Sequence, residues 1–140
     1  MSQHNVEIVR RAVAAFNEMN VLVGSGDPLP WLREYCDADV EIDLSRRWID
    51  PDIYRGYEGF LRFRADYSDA WESARFDIED VIDAGDRVVL FTHNSGAARS
   101  GLRLGVRVGH VLTVKAEKIV RWQYFGEDRS ACLKAVGLEE

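Results

Sequence analysis

The chain has 140 residues, 46% of them apolar and 30% charged, with a net charge of −6, which suits one folded domain over 1–140 with an ordered core from about 5 to 138. Its arginines are dispersed from Arg10 to Arg129 on an acidic background, so no nucleic acid partner is expected. No apolar run of about 18 residues, leader pattern or metal-ligand spacing around Cys36 and Cys132 is present, so the expectation is no membrane, no metal and a cytoplasmic location with two free buried thiols.

Asn5 is a candidate cap for a first helix whose apolar stripe is Val6, Val9, Val13 and Phe16, widened by Ile8, Ala12 and Met19. "GSGD" (Gly24 to Asp27) breaks it. Asp27 then caps a short helix with Pro28 in its first turn and Trp31, Leu32 and Tyr35 on its apolar side, which is expected to take in Cys36. "DVEIDL" (Asp39 to Leu44) alternates as a strand, with Val40, Ile42 and Leu44 inward and Glu41 and Asp43 outward and solvated. After the loop "SRRWIDPDIYRG", residues Phe60, Phe63, Tyr67, Ala70, Trp71 and Ala74 mark a helix over about 57 to 74.

Four strands follow, over 76–82, 87–94, 102–114 and 118–125, joined by "DAGD", "SGAARSG" and "AEK" turns. A last helix starts near Asp128 and stops at Gly137. Hairpin-joined strands make an antiparallel sheet, and helices gathered before it pack on one face, so the fold class is α+β.

Within "GLRLGVRVGHVLTV" (Gly101 to Val114), Leu102, Leu104, Val106, Val108, His110, Leu112 and Val114 share one face. Arg103, Gly105, Arg107 and Gly109 share the other, where glycines permit close approach of another surface. His110 is the one ionisable group in the apolar row. It reads either as a core histidine held by hydrogen bonds or as an acid/base group in a pocket, neutral where the surroundings are apolar.

The segments "NVEIVRRAVAAFN", "DADVEIDLS", "YRGYEGFLRF", "DAGDRVVLF", "GHVLTV", "KIVRWQYF" and "ACLKAVGL", in this order and spacing, resemble the nuclear transport factor 2-like superfamily and its SnoaL-like (polyketide cyclase-like) group, from Val6 to Leu138. The resemblance implies a cone-shaped α+β barrel (cystatin-like), in which a curved, mostly antiparallel sheet wraps N-terminal helices around an apolar pocket. It also implies frequent homodimers through the outer sheet face. It does not imply one activity: members include polyketide cyclases, ketosteroid isomerases, limonene epoxide hydrolases, dehydratases and non-catalytic binders.

Mapped onto the isomerase pattern, the base position falls at Ile42, the tyrosine near Phe16 and the acid at His110, so that chemistry is not expected. Epoxide hydrolysis needs an Asp-Arg-Asp set; Arg55 is a candidate arginine, without two convincing acids. SnoaL-like proton abstraction demands less: one positioned base and a stacking wall. Here His110 and Tyr124 are the candidate catalytic pair. Phe16, Ile42, Trp48, Tyr54, Tyr67, Trp71, Val108, Leu112 and Trp122 are the candidate substrate wall, and His93 is a rim residue. Two functions follow: a cofactor-free isomerase, cyclase or lyase acting on a planar apolar substrate, or a non-catalytic dimeric ligand-binding or accessory protein. No cofactor is expected in either. The expected dimer face carries Arg103 and Arg107 against Glu41 and Asp43.

Overall fold

The computed structural model describes residues 2–24, 26–47 and 51–138. Helices α1 (Ser2–Glu18) and α2 (Leu29–Tyr35) come first, then strands β1 (Cys36–Asp43) and β2 (Ile53–Arg55). Helix α3 (Gly56–Ala70) leads into β3 (Arg75–Ala84), β4 (Arg87–Ala97), β5 (Arg103–Lys115) and β6 (Lys118–Tyr124), and α4 (Arg129–Ala135) closes the order. The six strands form one open sheet in the order β2-β1-β6-β5-β4-β3. All neighbours are antiparallel except β1 and β6. That parallel pair is where the chain, having crossed through α3 and the long hairpins, returns beside its first strand. Register shifts at Cys36/Glu41, Ile78/Asp80 and Thr113/Val114 are bulges of the kind that bend strands.

The main core lies between the helices and the inner sheet face. Ile8, Val9, Ala12 and Phe16 of α1, Trp31 and Leu32 of α2, and Phe60 and Phe63 of α3 meet Val40, Ile42, Val88, Leu90, Leu112 and Ile119 of the sheet. Each such side chain contributes about 1.5–3 kcal/mol over exposure. Three polar contacts fix the helices. The Trp31 indole donates to the Ala12 carbonyl (2.9 Å), Asn17 pairs with both backbone groups of Phe76 (2.7 and 2.9 Å), and Tyr57 donates to the Cys36 carbonyl (2.9 Å). Arg64 holds the turn after α1 through the carbonyls of Val21, Gly24 and Gly26.

A second, smaller core sits on the opposite sheet face, where Val89, Phe91, Val111 and Phe125 pack under Cys132 and Leu133 of α4. This explains one glycine of the Arg/Gly row. A Cβ on Gly109 would meet the Phe91 ring at 3.1 Å and Cys132 Sγ at 3.2 Å, so the missing side chain lets α4 close down.

Several local expectations change. Helix α1 begins at Ser2, and Asn5 donates to the Gly85 carbonyl instead of capping. Cys36 opens β1 and is not helical. Helix α3 ends at Ala70, since Trp71 is extended and bridges Ala98. Asp43 faces outward yet is only 7% exposed, because Arg121 lies over it at 2.9 Å and Ser45 bonds it from below. Burial raises the Asp43 pKa, but the Ser45 hydroxyl and amide and the Arg121 guanidinium outweigh it and hold the carboxyl below its usual value.

Candidate binding cavity

Two spaces adjoin on the inner face. An inner void of about 40 Å³ is lined by Ala12, Val13, Phe16, Trp31, Cys36, Val40, Ile42, Phe60, Leu90, Leu112 and Ile119. A mouth cavity of about 340 Å³ is lined by Leu44, Arg47, Phe63, Tyr67, Trp71, Asn94, Ser95, Gly96, Leu104, Gly105, Val106, Val108 and Tyr124. Phe76, His110 and Trp122 line both and form the partition. The mouth falls in the usual size range of small-molecule sites, about 300–1,000 Å³, whereas the void is too small for such a ligand.

Strand register builds the partition. His110 on β5 stands opposite Leu90 on β4 and Tyr124 on β6, two residues along from Thr92–Val108 on one side and Leu112–Trp122 on the other. The even-numbered residues of these strands therefore meet on the inner face. His110 is 1% exposed. The Trp122 indole N–H donates to its Nδ1 at 2.9 Å, and its Nε2 lies 2.9 Å from Thr92 Oγ1. An indole nitrogen only donates, so Nδ1 is the unprotonated nitrogen of a neutral ring and Nε2 carries the hydrogen. The chain then runs one way: Trp122 to His110, His110 to Thr92, and Thr92 hydroxyl to Asn94 Oδ1 at 2.6 Å. Burial lowers the His110 pKa to about 3, so the ring is neutral at physiological pH. The backbone of the same residue is used too, its carbonyl lying 3.5 Å from Cys132 Sγ.

Two tyrosines stand at the mouth. Tyr67 of α3 stacks on Trp71 (ring centroids 5.9 Å apart) and meets Phe63 edge-on. Burial, with Tyr124 nearby, pushes its hydroxyl up to about 12 despite Arg47. Burial also raises Tyr124, whose ring is 6.4 Å from that of His110; Arg47 pulls it down and Glu127 pushes it up. Both hydroxyls are neutral donors at pH 7.

The sequence-derived wall is thus split by depth. Tyr67, Trp71, Val108 and Tyr124 line the mouth; Phe16, Ile42 and Leu112 line the inner void; His110 and Trp122 stand between. Tyr54 lies apart, donating to Asp66 at 2.9 Å beside a neighbouring surface opening. Trp48 lies outside the described residues. Arg55 is exposed on β2 and pairs with Glu41 at 3.4 Å. His93 sits on the outer face, its imidazole against Gly105.

Thr92, Asn94, Arg47 and Phe76 join the site without having been singled out. The first two carry a legible signal: Leu90, Thr92 and Asn94 alternate inward opposite the His110 strand. Arg47 carries none, since it reaches the mouth from a loop. Among the described residues, no group of three His, Cys, Asp or Glu is placed to hold a metal ion, and no helix is long and apolar enough to cross a membrane.

An open, bulged sheet that covers its helices and leaves an apolar cavity at one end defines the cone-shaped α+β class. Within it, the sequence matches the SnoaL-like domain over residues 9–122, and the chain belongs to that family. No curated protein matches in sequence. Solved structures share the fold at low identity. Bal32a from a soil-derived mobile gene cassette has a TM-score of 0.73 at 22% identity, covering 91% of this chain and 92% of its own. TerC, co-crystallised with polyporic acid, has 0.73 at 20%, covering 95% and 98%. A putative SnoaL-like polyketide cyclase from Jannaschia sp. CCS1 has 0.71 at 20%, covering 99% and 94%.

Proposed function

We propose that this protein binds a planar, largely apolar small molecule in the mouth cavity, and that His110 positions the wall of that cavity instead of accepting a proton. The observation that carries this reading is the Trp122–His110–Thr92–Asn94 chain. It occupies the one basic nitrogen of His110 with an indole N–H inside a buried setting. A base must reach the proton that it removes. The aromatic lining from Phe63, Tyr67, Trp71, Phe76 and Trp122 suits a flat ligand. TerC, a fold relative, was crystallised with polyporic acid. No cofactor is invoked.

Titration of isotope-labelled protein with 2-naphthamide tests this. Saturable shifts should centre on Val108, Trp122 and Tyr124. Absence of saturable binding, or shifts confined to the α4 face, would overturn it.

The second reading is cofactor-free acid/base chemistry of the SnoaL-like type, as an isomerase, cyclase or lyase. The observation in its favour is Tyr124, a neutral hydroxyl on the mouth wall beside His110. It requires His110 to release Trp122. Deuterium exchange at the α-carbon of 2-tetralone, accelerated by wild type and not by Tyr124→Phe, would favour it over pure binding.

A homodimer through the outer sheet face belongs to the same proposal, with its charges reassigned. Arg121 already pairs with Glu41 and Asp43, and Arg107 with Glu79 at 3.0 Å. Glu41, Asp43 and Arg107 are therefore paired within the protomer, and Arg103, the fourth charge expected on this face, has no ion pair among the described residues. Sedimentation at micromolar concentration tests it: a dimer that dissociates on Arg103→Glu is expected, and a monomer would end that part. A cytoplasmic location rests on the two free, buried cysteines.

A further inference from the structure

We propose that Asn94 sets the specificity of the mouth cavity: its amide nitrogen, presented by the hydrogen-bond chain that starts at Trp122, donates to an acceptor oxygen on the ligand, an aryl carbonyl in the simplest case. This rests on the cavity being a binding site and adds which ligand atom is recognised, and through which residue.

The orientation of an amide follows from what its oxygen already accepts. The Trp122 indole only donates, so His110 Nδ1 accepts and His110 Nε2 holds the hydrogen. Thr92 Oγ1 receives that hydrogen at 2.9 Å and gives its own to Asn94 Oδ1 at 2.6 Å. The amide oxygen is thereby engaged by a fully buried residue. The amide nitrogen keeps its hydrogens without a protein acceptor among the described residues, on a side chain that lines the mouth. Asn94 stands opposite Val106, on the same face as Thr92 and two residues farther along β4. A ligand that displaces solvent from this nitrogen must offer it an acceptor or leave a half-buried donor unpaired, which costs more than the bond itself gains.

The other polar groups of the lining agree. No carboxylate lines the mouth among the described residues, and His110 Nδ1 and Asn94 Oδ1 are both engaged. The side-chain acceptors left are hydroxyls, which also donate. Those of Tyr67 and Tyr124 stay protonated at pH 7, burial having raised both. The Arg47 guanidinium lines the mouth too but is engaged with the Tyr54 hydroxyl; neutral probes keep its charge out of the comparison.

The test compares 2-acetylnaphthalene with 2-isopropenylnaphthalene, alike in shape but with a methylene where the ketone has its oxygen. Quenching of tryptophan fluorescence gives the affinities. Carbon-13 NMR of the carbonyl-labelled ketone reads hydrogen bonding at its oxygen, which moves the carbonyl carbon to higher shift. In the wild-type complex that carbon should lie above its position in hexane. Asn94→Leu should weaken the ketone, relative to the alkene, by at least about tenfold, or about 1.4 kcal/mol. Asn94→Asp, which puts an acceptor where the donor stood, should weaken it at least as much. Retained alkene affinity shows that the variants are folded. A wild-type carbonyl carbon at its hexane position overturns the inference without any variant and leaves the cavity reading standing. A ratio of affinities unchanged by Asn94→Leu overturns the assignment to Asn94. Failure of both probes to bind overturns the cavity reading and this inference with it.

Discussion

His110 is a base surrounded by partners that leave it nothing to accept. Its Nδ1 is filled by Trp122 and its Nε2 hydrogen is spent on Thr92. Removing the ring would strand a half-buried indole N–H and a buried threonine hydroxyl, so His110→Ala should lower stability by about 2–5 kcal/mol in urea unfolding. The pH dependence has a definite sign. The folded pKa of about 3 lies below the ordinary histidine value of 6.5, so the unfolded chain binds the proton first as pH falls. This stabilisation is complete above pH 6.5 and is lost towards pH 3, with a slope of up to about 1.4 kcal/mol per pH unit. In His110→Gln that slope should vanish between pH 6.5 and 5, above the range where carboxylates contribute. A wild-type protein whose stability is flat across that interval would contradict a buried neutral ring.

At the scale of elements, the glycines separate close packing from mere permission. A Cβ on Gly96 would drive into the Ser73 carbonyl oxygen, where the end of β4 passes the segment after α3. A Cβ on Gly105 would meet only the His93 imidazole, at 3.0 Å, and that ring can swing away. Gly96→Ala should therefore cost about 1–3 kcal/mol and Gly105→Ala less than about 1 kcal/mol by thermal unfolding. The β5–β6 turn shows the opposite condition: Ala116 and Glu117 both hold positive φ, 49° and 65°, where Asn-Gly is the favoured pair. Replacing them by Asn and Gly should raise the stability by about 1 kcal/mol, with no change in ligand binding.

Across the whole molecule, what the sequence disclosed follows period and punctuation. The alternation of 108–114 and 39–44 matches the inner wall, and Asp128 does cap the last helix, accepting from Ala131 N–H at 2.9 Å. What it could not disclose depends on contacts between distant segments. The parallel β1–β6 pair arises from chain return, not from any local pattern. The apolar row predicts burial for Leu102, Leu104 and Val106, yet these remain exposed, because β6 pairs with β5 only from His110 onward. Gly109 looked like an outer surface position and instead accommodates α4. The site was half legible: His110, Trp122 and Tyr124 share one face by spacing, but the direction of the hydrogen bonds among His110, Trp122, Thr92 and Asn94 exists only once three strands are in register.

That direction decides whether His110 can accept a proton. Long-range proton–nitrogen NMR of the His110 ring, followed from pH 7.5 to 5, tests it most directly. The expected spectrum is a neutral ring with hydrogen on Nε2 and a bare Nδ1, unchanged across the whole range. A ring that titrates near pH 6.5, or carries its hydrogen on Nδ1, would contradict the account and return His110 to the role of proton acceptor.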